Sequence, residues 1–231
     1  MIQVTYHGHS TVEIAYNEHR LIIDPFLTGN PVAKAKAQDI KVDYVLLTHG
    51  HNDHIQDAVE IAKANDATII ATYELAMYME SQGCKVHSLG IGGSFQFPFG
   101  KVKFTLAFHG AGELLPGSST FHFLGFPAGI LLYLGDKTLY HAGDTGLFGD
   151  MKLIGELNTI DLAFLPIGDN YTMGPEDALI AAQFLQARAV VPIHYNTFPL
   201  LAQDGDAYIR QLQEKGIGGS ALTPGESYTI A

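Results

Sequence analysis

The chain has 231 residues, a formal net charge of -11 and an apolar fraction of 47%. This size and composition allow a large buried core, which excludes a disordered chain and fits one domain over residues 1–231. The acidic balance, without any basic run, argues against nucleic acid as a partner. No signal-peptide pattern or membrane-spanning apolar run is found, so we expect a cytoplasmic protein that does not contact a membrane.

The predicted elements begin with strands and then alternate with helices. Alternating apolar residues predict a three-stranded meander over residues 1–24, hydrophobic strands at 42–48 and 67–71, and helices at 55–65 and 73–82. Short strands are predicted at 96–109, 119–126, 129–134 and 138–142. The rest reads as strands at 161–166, 189–194 and 222–230, with helices at 174–185 and 208–215. Each half of the chain thus has a block of strands followed by alternating helices and strands. This pattern predicts an α/β fold in which two packed sheets are covered by helices on their outer faces, the four-layer αββα sandwich.

The strongest chemical signal is a short polar stretch between a hydrophobic strand and a helix, His49-Gly50-His51-Asn52-Asp53-His54. In an extended segment, residues two apart project to the same side, so His49 and His51 can bind one ion. Asp53 and His54, at the helix start, can reach a second ion. Imidazole and carboxylate ligands suit zinc, and also iron or manganese. Without a metal, such a buried loop would leave several polar groups unsatisfied.

The spacing His-x-His-x-Asp-His of this stretch resembles the signature of the metallo-β-lactamase superfamily. Later motifs of that superfamily are matched in order along the chain by His109 in Ala107-Phe108-His109-Gly110, Asp144 in Gly143-Asp144-Thr145-Gly146 and His194 in Pro192-Ile193-His194-Tyr195. The segments 8–10 and 24–31 are similar to a branch of metal-dependent hydrolases related to ascorbate 6-phosphate lactonase. The resemblance therefore spans nearly the whole chain.

The resemblance implies two divalent metal ions and a ligand set for each. His49, His51 and His109 would hold the first ion, Asp53, His54 and His194 the second, and Asp144 would bridge them. Zinc is favoured, and manganese, iron and nickel fit the same ligands. The implied nucleophile is a metal-bound hydroxide, with Asp53 as a ligand that also orients the water or accepts its proton.

Other residues near these motifs have two interpretations each. His122 is an alternative to His109, although its position within a predicted strand favours a core histidine. His9 lies in a turn that the fold can place over the metals, and we expect a catalytic role through contact with substrate or with a ligand; the alternative is a turn histidine with a local hydrogen bond. Asp24, at a strand end, is expected to orient the histidine loop.

The rim of the site and the oligomeric state are less well defined by the sequence. Asn170 and Tyr171, in a glycine-bounded loop, are candidates for contact with substrate. The uncharged segment 116–129 favours a homo-oligomer. Residues 114–118, which overlap the start of that segment, can instead form a loop that moves over the site.

The pattern as a whole favours hydrolysis of a small-molecule ester, lactone or phosphoester. The choice depends on His51, because the resemblance implies histidine here in hydrolases and glutamate in the di-iron oxidases. The alternatives are a mononuclear iron oxygenase of the same fold, a nuclease, which the acidic balance disfavours, and a metal-binding protein without turnover.

Overall fold

The computed structural model describes residues 1–114, 117 and 119–231. The first part of the chain contains these elements: β1 (Ile2–Gly8), β2 (Thr11–Tyr16), β3 (His19–Ile23), β4 (Tyr44–Leu46), α1 (Asn52–Ile55), α2 (Ala58–Asn65), β5 (Thr68–Thr72), α3 (Tyr73–Ser81) and β6 (Lys85–Leu89). The moving loop predicted at 114–118 falls mainly on residues 115, 116 and 118, which lie outside the described residues.

The remaining part of the chain starts with a run of strands and ends with alternating helices and strands. Its elements are β7 (Ser94–Phe97), β8 (Gly100–Leu106), β9 (Gly112–Leu114), β10 (Phe121–Phe123), β11 (Ala128–Leu134), β12 (Lys137–His141), α4 (Asp150–Leu157), β13 (Leu162–Pro166), α5 (Pro175–Phe184), β14 (Ala189–Ile193), α6 (Gly205–Glu214), β15 (Gly218–Gly219) and β16 (Ser227–Ile230). No helix in the described ranges is long and apolar enough to cross a membrane.

Within the described residues the strands form two seven-stranded sheets and one two-stranded sheet. The first large sheet has the order β16-β1-β2-β3-β4-β5-β6, and the second has the order β15-β14-β13-β12-β11-β8-β7. Each contains antiparallel and parallel pairs, such as β1 with β2 and β3 with β4 in the first sheet. β9 and β10 pair with each other as a separate hairpin. The predicted α/β sandwich is confirmed by this arrangement.

The strands of both sheets divide their side chains between two cores. In β3, Leu21 and Ile23 lie in a cluster formed by residues of both sheets, whereas Ile22 between them lies in the cluster shared with α2 and α3. In β14, Val191 belongs to the same inter-sheet cluster, and Val190 packs toward α5 and α6. Strands buried on both faces are expected to be continuously apolar, which is why the sequence shows them as hydrophobic runs.

The helix predicted over residues 55–65 is interrupted. α1 ends at Ile55 and α2 begins at Ala58, with Asp57 between them. The Asp57 carboxylate accepts hydrogen bonds from the backbone nitrogens of Leu27 and Thr28, at 2.6 and 2.9 Å. The backbone nitrogen of Asp57 donates to the carbonyl of Pro25 at 3.0 Å, whereas a continuous helix would require the carbonyl of Asp53. The interruption is thus made by a distant loop, which no local pattern in the sequence indicates.

Two further elements differ from the prediction. The strand predicted over 96–109 is a hairpin of β7 and β8, in which a side chain at Gly100 would overlap the carbonyl of Tyr133. α4 was not predicted, because Gly155 interrupts its apolar pattern. A Cβ at Gly155 would overlap the backbone of Phe184, so glycine is what allows α4 to approach the end of α5 closely.

Candidate metal centre

The residues proposed as metal ligands follow the ends of strands at one edge of the sandwich. Four of them follow β4, and single residues follow β8, β12 and β14: His49, His51, Asp53, His54, His109, Asp144 and His194. Because β4 belongs to one sheet and the other three strands to its partner, the site lies where the ends of the two sheets meet. The structure brings all seven residues together, and His9 joins them.

One group consists of three imidazoles. A single nitrogen from each of His49, His51 and His109 lies within 4.8 Å of the others. His49 Nε2 and His51 Nδ1 are 3.0 Å apart, and the rings of His51 and His109 have centroids 5.1 Å apart. Three converging imidazoles are a ligand set that binds zinc in other proteins.

The second group surrounds Asp53. Ligand atoms of His9, Asp53, His54 and His194 also lie within 4.8 Å of one another. The Oδ2 atom of Asp53 is 2.9 Å from His9 Nε2, 3.8 Å from His194 Nε2 and 3.9 Å from His54 Nε2. The two groups adjoin, since the ring centroids of His49 and His54 are 4.1 Å apart.

Asp144 lies between the two groups. Its Oδ2 atom is 2.9 Å from His194 Nε2, 3.5 Å from His109 Nε2 and 4.0 Å from His49 Nε2. Its Oδ1 atom is 3.3 Å from His54 Nε2. A carboxylate that faces histidines of both groups is placed to bridge two ions.

The buried polar atoms of the site fit metal ions. His54 Nε2 and Asp144 Oδ1 are buried 3.3 Å apart, and within the described part of the chain neither forms a hydrogen bond of good geometry. An unsatisfied buried polar atom costs about 1–3 kcal/mol, so a native site normally supplies a partner for it. A divalent cation satisfies both atoms, and imidazole nitrogens with carboxylate oxygens are ligands of zinc, manganese and iron.

Asp24 and Thr48 fix the orientation of two imidazoles. The carboxylate of Asp24 accepts hydrogen bonds from the backbone nitrogen of Thr48 at 2.8 Å and from its hydroxyl at 2.6 Å, and lies 2.8 Å from His54 Nδ1. Since the Thr48 proton goes to Asp24, the Thr48 oxygen accepts from His49 Nδ1, 2.9 Å away. The Nδ1 atoms of His49 and His54 therefore carry protons, and their Nε2 atoms are the ones that would bind a metal.

Thr48 was not identified from the sequence. The signal was available, because a hydroxyl residue directly before the first histidine of the loop is well placed to bond both neighbours.

The surroundings of the histidines keep most of them neutral. Burial, followed by the nearby His54, lowers the pKa of His49 well below its usual range. Burial also lowers the pKa values of His51 and His109. Neutral imidazole is the form that binds metals, so protons compete weakly with an ion at these three residues.

The neighbouring histidines favour the ionised form of Asp144. Burial on its own would raise the pKa of Asp144, but His194 and His54 outweigh it and hold that pKa well below its usual range. Burial would likewise lower the pKa of His54, yet Asp144, Asp24 and Asp53 raise it well above its usual range. Three carboxylates around one imidazole make this part of the site favourable for a cation.

His9 lies in the turn between β1 and β2, and its side chain is buried within the site. Its Nε2 atom is 2.9 Å from Asp53 Oδ2, its Nδ1 atom is 2.9 Å from Thr197 Oγ1, and its carbonyl accepts a hydrogen bond from the His194 backbone at 2.7 Å. Burial lowers the pKa of His9 to about 4, despite the opposing effect of Asp53. The two partners of its imidazole lie 44 and 188 residues away in the chain, and its carbonyl also accepts a local hydrogen bond from the Tyr6 hydroxyl at 3.1 Å.

The centre opens to solvent through a cleft of about 280 Å³, lined by His51, Asp53, His109, Asp144, Tyr171 and His194. Tyr171 is 57% exposed at its mouth, whereas Asn170 is exposed and does not line it. His122 is exposed on β10 and is not among the grouped ligands, so the expectation of a core histidine was wrong.

Comparisons with known proteins agree with the fold and identify the family. Residues 19–195 match the family described as a β-lactamase superfamily domain. The chain is 56% identical to a UPF0173 metal-dependent hydrolase of Bacillus cereus over 229 residues, which is 99% of this chain and 100% of the relative.

Solved structures show the same fold over nearly the whole chain. Igni18, a metallo hydrolase from the archaeon Ignicoccus hospitalis, is 33% identical with a TM-score of 0.90, covering 100% of this chain and 99% of its own. An isothiocyanate hydrolase from Delia radicum gut bacteria shares the fold with a TM-score of 0.77 at 24% identity, covering 99% of each chain. The chain thus belongs to the metallo-β-lactamase superfamily and, within it, to the UPF0173 metal-dependent hydrolases.

Proposed function

We propose that this hydrolase cleaves an ester, lactone or phosphoester bond of a small molecule at a two-metal centre. The observation that carries the proposal is the position of Asp144, whose two carboxylate oxygens face histidines of both groups. The resemblance to ascorbate 6-phosphate lactonase is compatible with a lactone substrate and remains a prediction. We further propose that the protein is cytoplasmic and acts on neither nucleic acid nor membranes.

The ligand assignment follows the two groups. His49, His51 and His109 would hold one ion, Asp53, His54 and His194 the other, and Asp144 would bridge them. Zinc is the metal that we propose, and manganese, iron and nickel fit the same ligands. When bound, two such ions would lower the pKa of a water molecule to near 7 and would stabilise negative charge on the substrate oxygen.

Asp53 is proposed to bind an ion and to orient the attacking water. Its side chain is 34% exposed, toward the cleft. Burial would raise its pKa, but His54 and the hydrogen bond from His9 lower it below the usual range. So low a pKa makes Asp53 a weak general base, which favours accepting a hydrogen bond from water over removing its proton.

His9 is proposed as a positioning residue for Asp53. The imidazole is held between Thr197 on one side and the Asp53 carboxylate on the other. Because one carboxylate oxygen of Asp53 is held by His9, the direction in which the other oxygen can face an ion or a water molecule is restricted. The small cleft supports a small-molecule substrate, with Tyr171 at its mouth as a candidate contact.

The test is metal content measured together with hydrolysis on one preparation. The substrates are a lactone, a thioester, p-nitrophenyl phosphate and bis-p-nitrophenyl phosphate. We expect about two equivalents of zinc or manganese, as the two-metal mechanism requires, and cleavage of at least one substrate that chelation abolishes. Asp144→Ala should lose metal and activity together, whereas Asp150→Ala, in the first turn of α4, should keep both.

Other outcomes of this experiment would contradict the proposal. About one equivalent of iron, oxygen uptake and no hydrolysis would indicate a mononuclear oxygenase instead. Full metal content in Asp144→Ala would show that the ligand assignment is wrong.

A further inference from the structure

A second depression lies beside the metal centre, and we call it the aromatic trough. It is lined by residues 110–112, residues 121–123 and His51, and its volume is about 340 Å³. His51 also lines the cleft over the metal centre, so the two depressions share a wall. Together they have the size of a site for a small molecule with two chemically different ends.

The trough carries aromatic side chains that the fold does not bury. Phe121 and Phe123, two residues apart on β10, are 66% and 62% exposed. Residues two apart in a strand point to the same face, so the two rings present one apolar surface. Phe126 is 65% exposed, and its ring packs edge-on against that of Phe123 at 5.6 Å. Adjacent exposed aromatic residues are typical of ligand grooves and interaction sites.

The hairpin that carries these rings is attached to the metal-binding loop. Leu124, directly after β10, is buried, and a Cβ at Gly50 would lie only 2.6 Å from its side chain. The hydroxyl of Tyr78 on α3 donates a hydrogen bond of 2.7 Å to Glu113 on β9. These contacts attach the hairpin to α3 and to the loop that carries His49 and His51.

Glycine keeps the passage between trough and cleft open. A Cβ at Gly110 would point at the His51 imidazole, 3.8 Å from both Cε1 and Nε2. Any larger side chain there would extend into the space beside His51. The backbone conformation at residue 110 does not require glycine, because its φ is outside the left-handed region. The space beside His51 is therefore the structural reason for a glycine at this position.

We propose that the aromatic trough binds a hydrocarbon group of the substrate while the bond to be cleaved lies over the metal centre. The inference rests on the proposed function and adds a substrate class to it: small esters, lactones or phosphoesters that carry an alkyl or aryl group. Each buried methylene strengthens binding by up to about fourfold. Partial burial in an open trough reduces this to about twofold per methylene.

The test measures binding of butyrate, hexanoate and octanoate to the metal-loaded protein by calorimetry. A carboxylate is a suitable end group for the metals, and only the chain length changes. The dissociation constant should fall by about twofold to fourfold per methylene as the chain enters the trough. A dissociation constant that is independent of chain length would overturn the proposal.

Substitutions locate the effect. Phe121→Ala and Phe123→Ala should each remove at least half of the dependence on chain length. Phe95→Ala is the matched control, since Phe95 is also a partly exposed phenylalanine on a strand but lies on β7, outside the trough. Unchanged chain-length dependence in both trough variants would refute the assignment.

Two readouts distinguish binding of a hydrocarbon group from contact between copies of the chain and from failure of the proposed function. Light scattering reports the oligomeric state. If Phe121→Ala dissociates an oligomer while the dissociation constants still depend on chain length, the aromatic surface binds a second copy of the chain and the inference fails. Chain-length dependence that persists without hydrolysis of any panel substrate would instead contradict the proposed function and leave the trough assignment in place.

Discussion

Replacing Asp24 by asparagine tests how the centre is supported, because Asp24 is not a proposed ligand. The carboxylate accepts two hydrogen bonds from Thr48 and one from His54 Nδ1. Asparagine keeps one oxygen but places an NH₂ group where the other was. If that group faces His54, two donors meet, and His54 is driven to carry its proton on Nε2, the atom needed for the metal.

The expected magnitude follows from these contacts. Loss of a hydrogen bond that orients a metal ligand typically weakens metal binding 10-fold to 100-fold, or about 1.4–2.7 kcal/mol. The effect should fall mainly on the ion held by His54, so one equivalent of metal should weaken while the other changes less. Loss of a charged, fully buried hydrogen bond should also lower the free energy of unfolding by about 1.5–3 kcal/mol.

Competition with a chromogenic chelator measures both affinities. Asp161→Asn is the matched control, because Asp161 is also a buried carboxylate and accepts from Thr138 and Arg188 at 2.8 and 2.7 Å, away from the histidines. The control should lose stability and keep both metal affinities. Unchanged affinities in Asp24→Asn would refute the reasoning that this carboxylate sets the His54 tautomer.

Further predictions concern pH, packing and metal removal. In the chelated protein, His9 has a folded pKa of about 4 against an ordinary value of 6.5, so the unfolded chain binds the extra proton between these pH values. The stability that neutral His9 contributes is complete above pH 6.5, and up to about 3 kcal/mol of it is lost as the pH falls to about 4. Denaturant titrations should show that the free energy of unfolding depends less on pH in His9→Gln than in the wild type. An unchanged pH dependence would contradict this. Gly50→Ala should lower the free energy of unfolding by about 1–3 kcal/mol, because its Cβ would collide with the Leu124 side chain. Gly90→Ala is the control and should change this free energy little, because the space around Gly90 is open. Equal stabilities of the two variants would count against the packing argument. Chelation should lower the Tm of the wild type by mass action, and a Tm insensitive to chelation would argue against metal binding to the folded state.

Features that depend on local order were predictable from the sequence. The histidine stretch is readable because its ligands lie close together directly after a buried strand, and the later motifs also follow strands of the predicted type. The apolar runs were readable because strands buried on both faces need apolar residues at nearly every position. The fold class and, through the resemblance to the metallo-β-lactamase superfamily, the candidate ligands could therefore be predicted from the sequence.

Contacts between distant segments emerged only from the three-dimensional arrangement. His9 meets Asp53 and Thr197, which are 44 and 188 residues away, and the hairpin of Phe121 and Phe123 lies beside His51. Such contacts depend on how the two sheets and their loops pack, and they produce no periodic pattern in the sequence. The physical reason is that periodicity reports which face of one element is buried, whereas a site assembled from several loops depends on the relative placement of elements that the chain connects only indirectly.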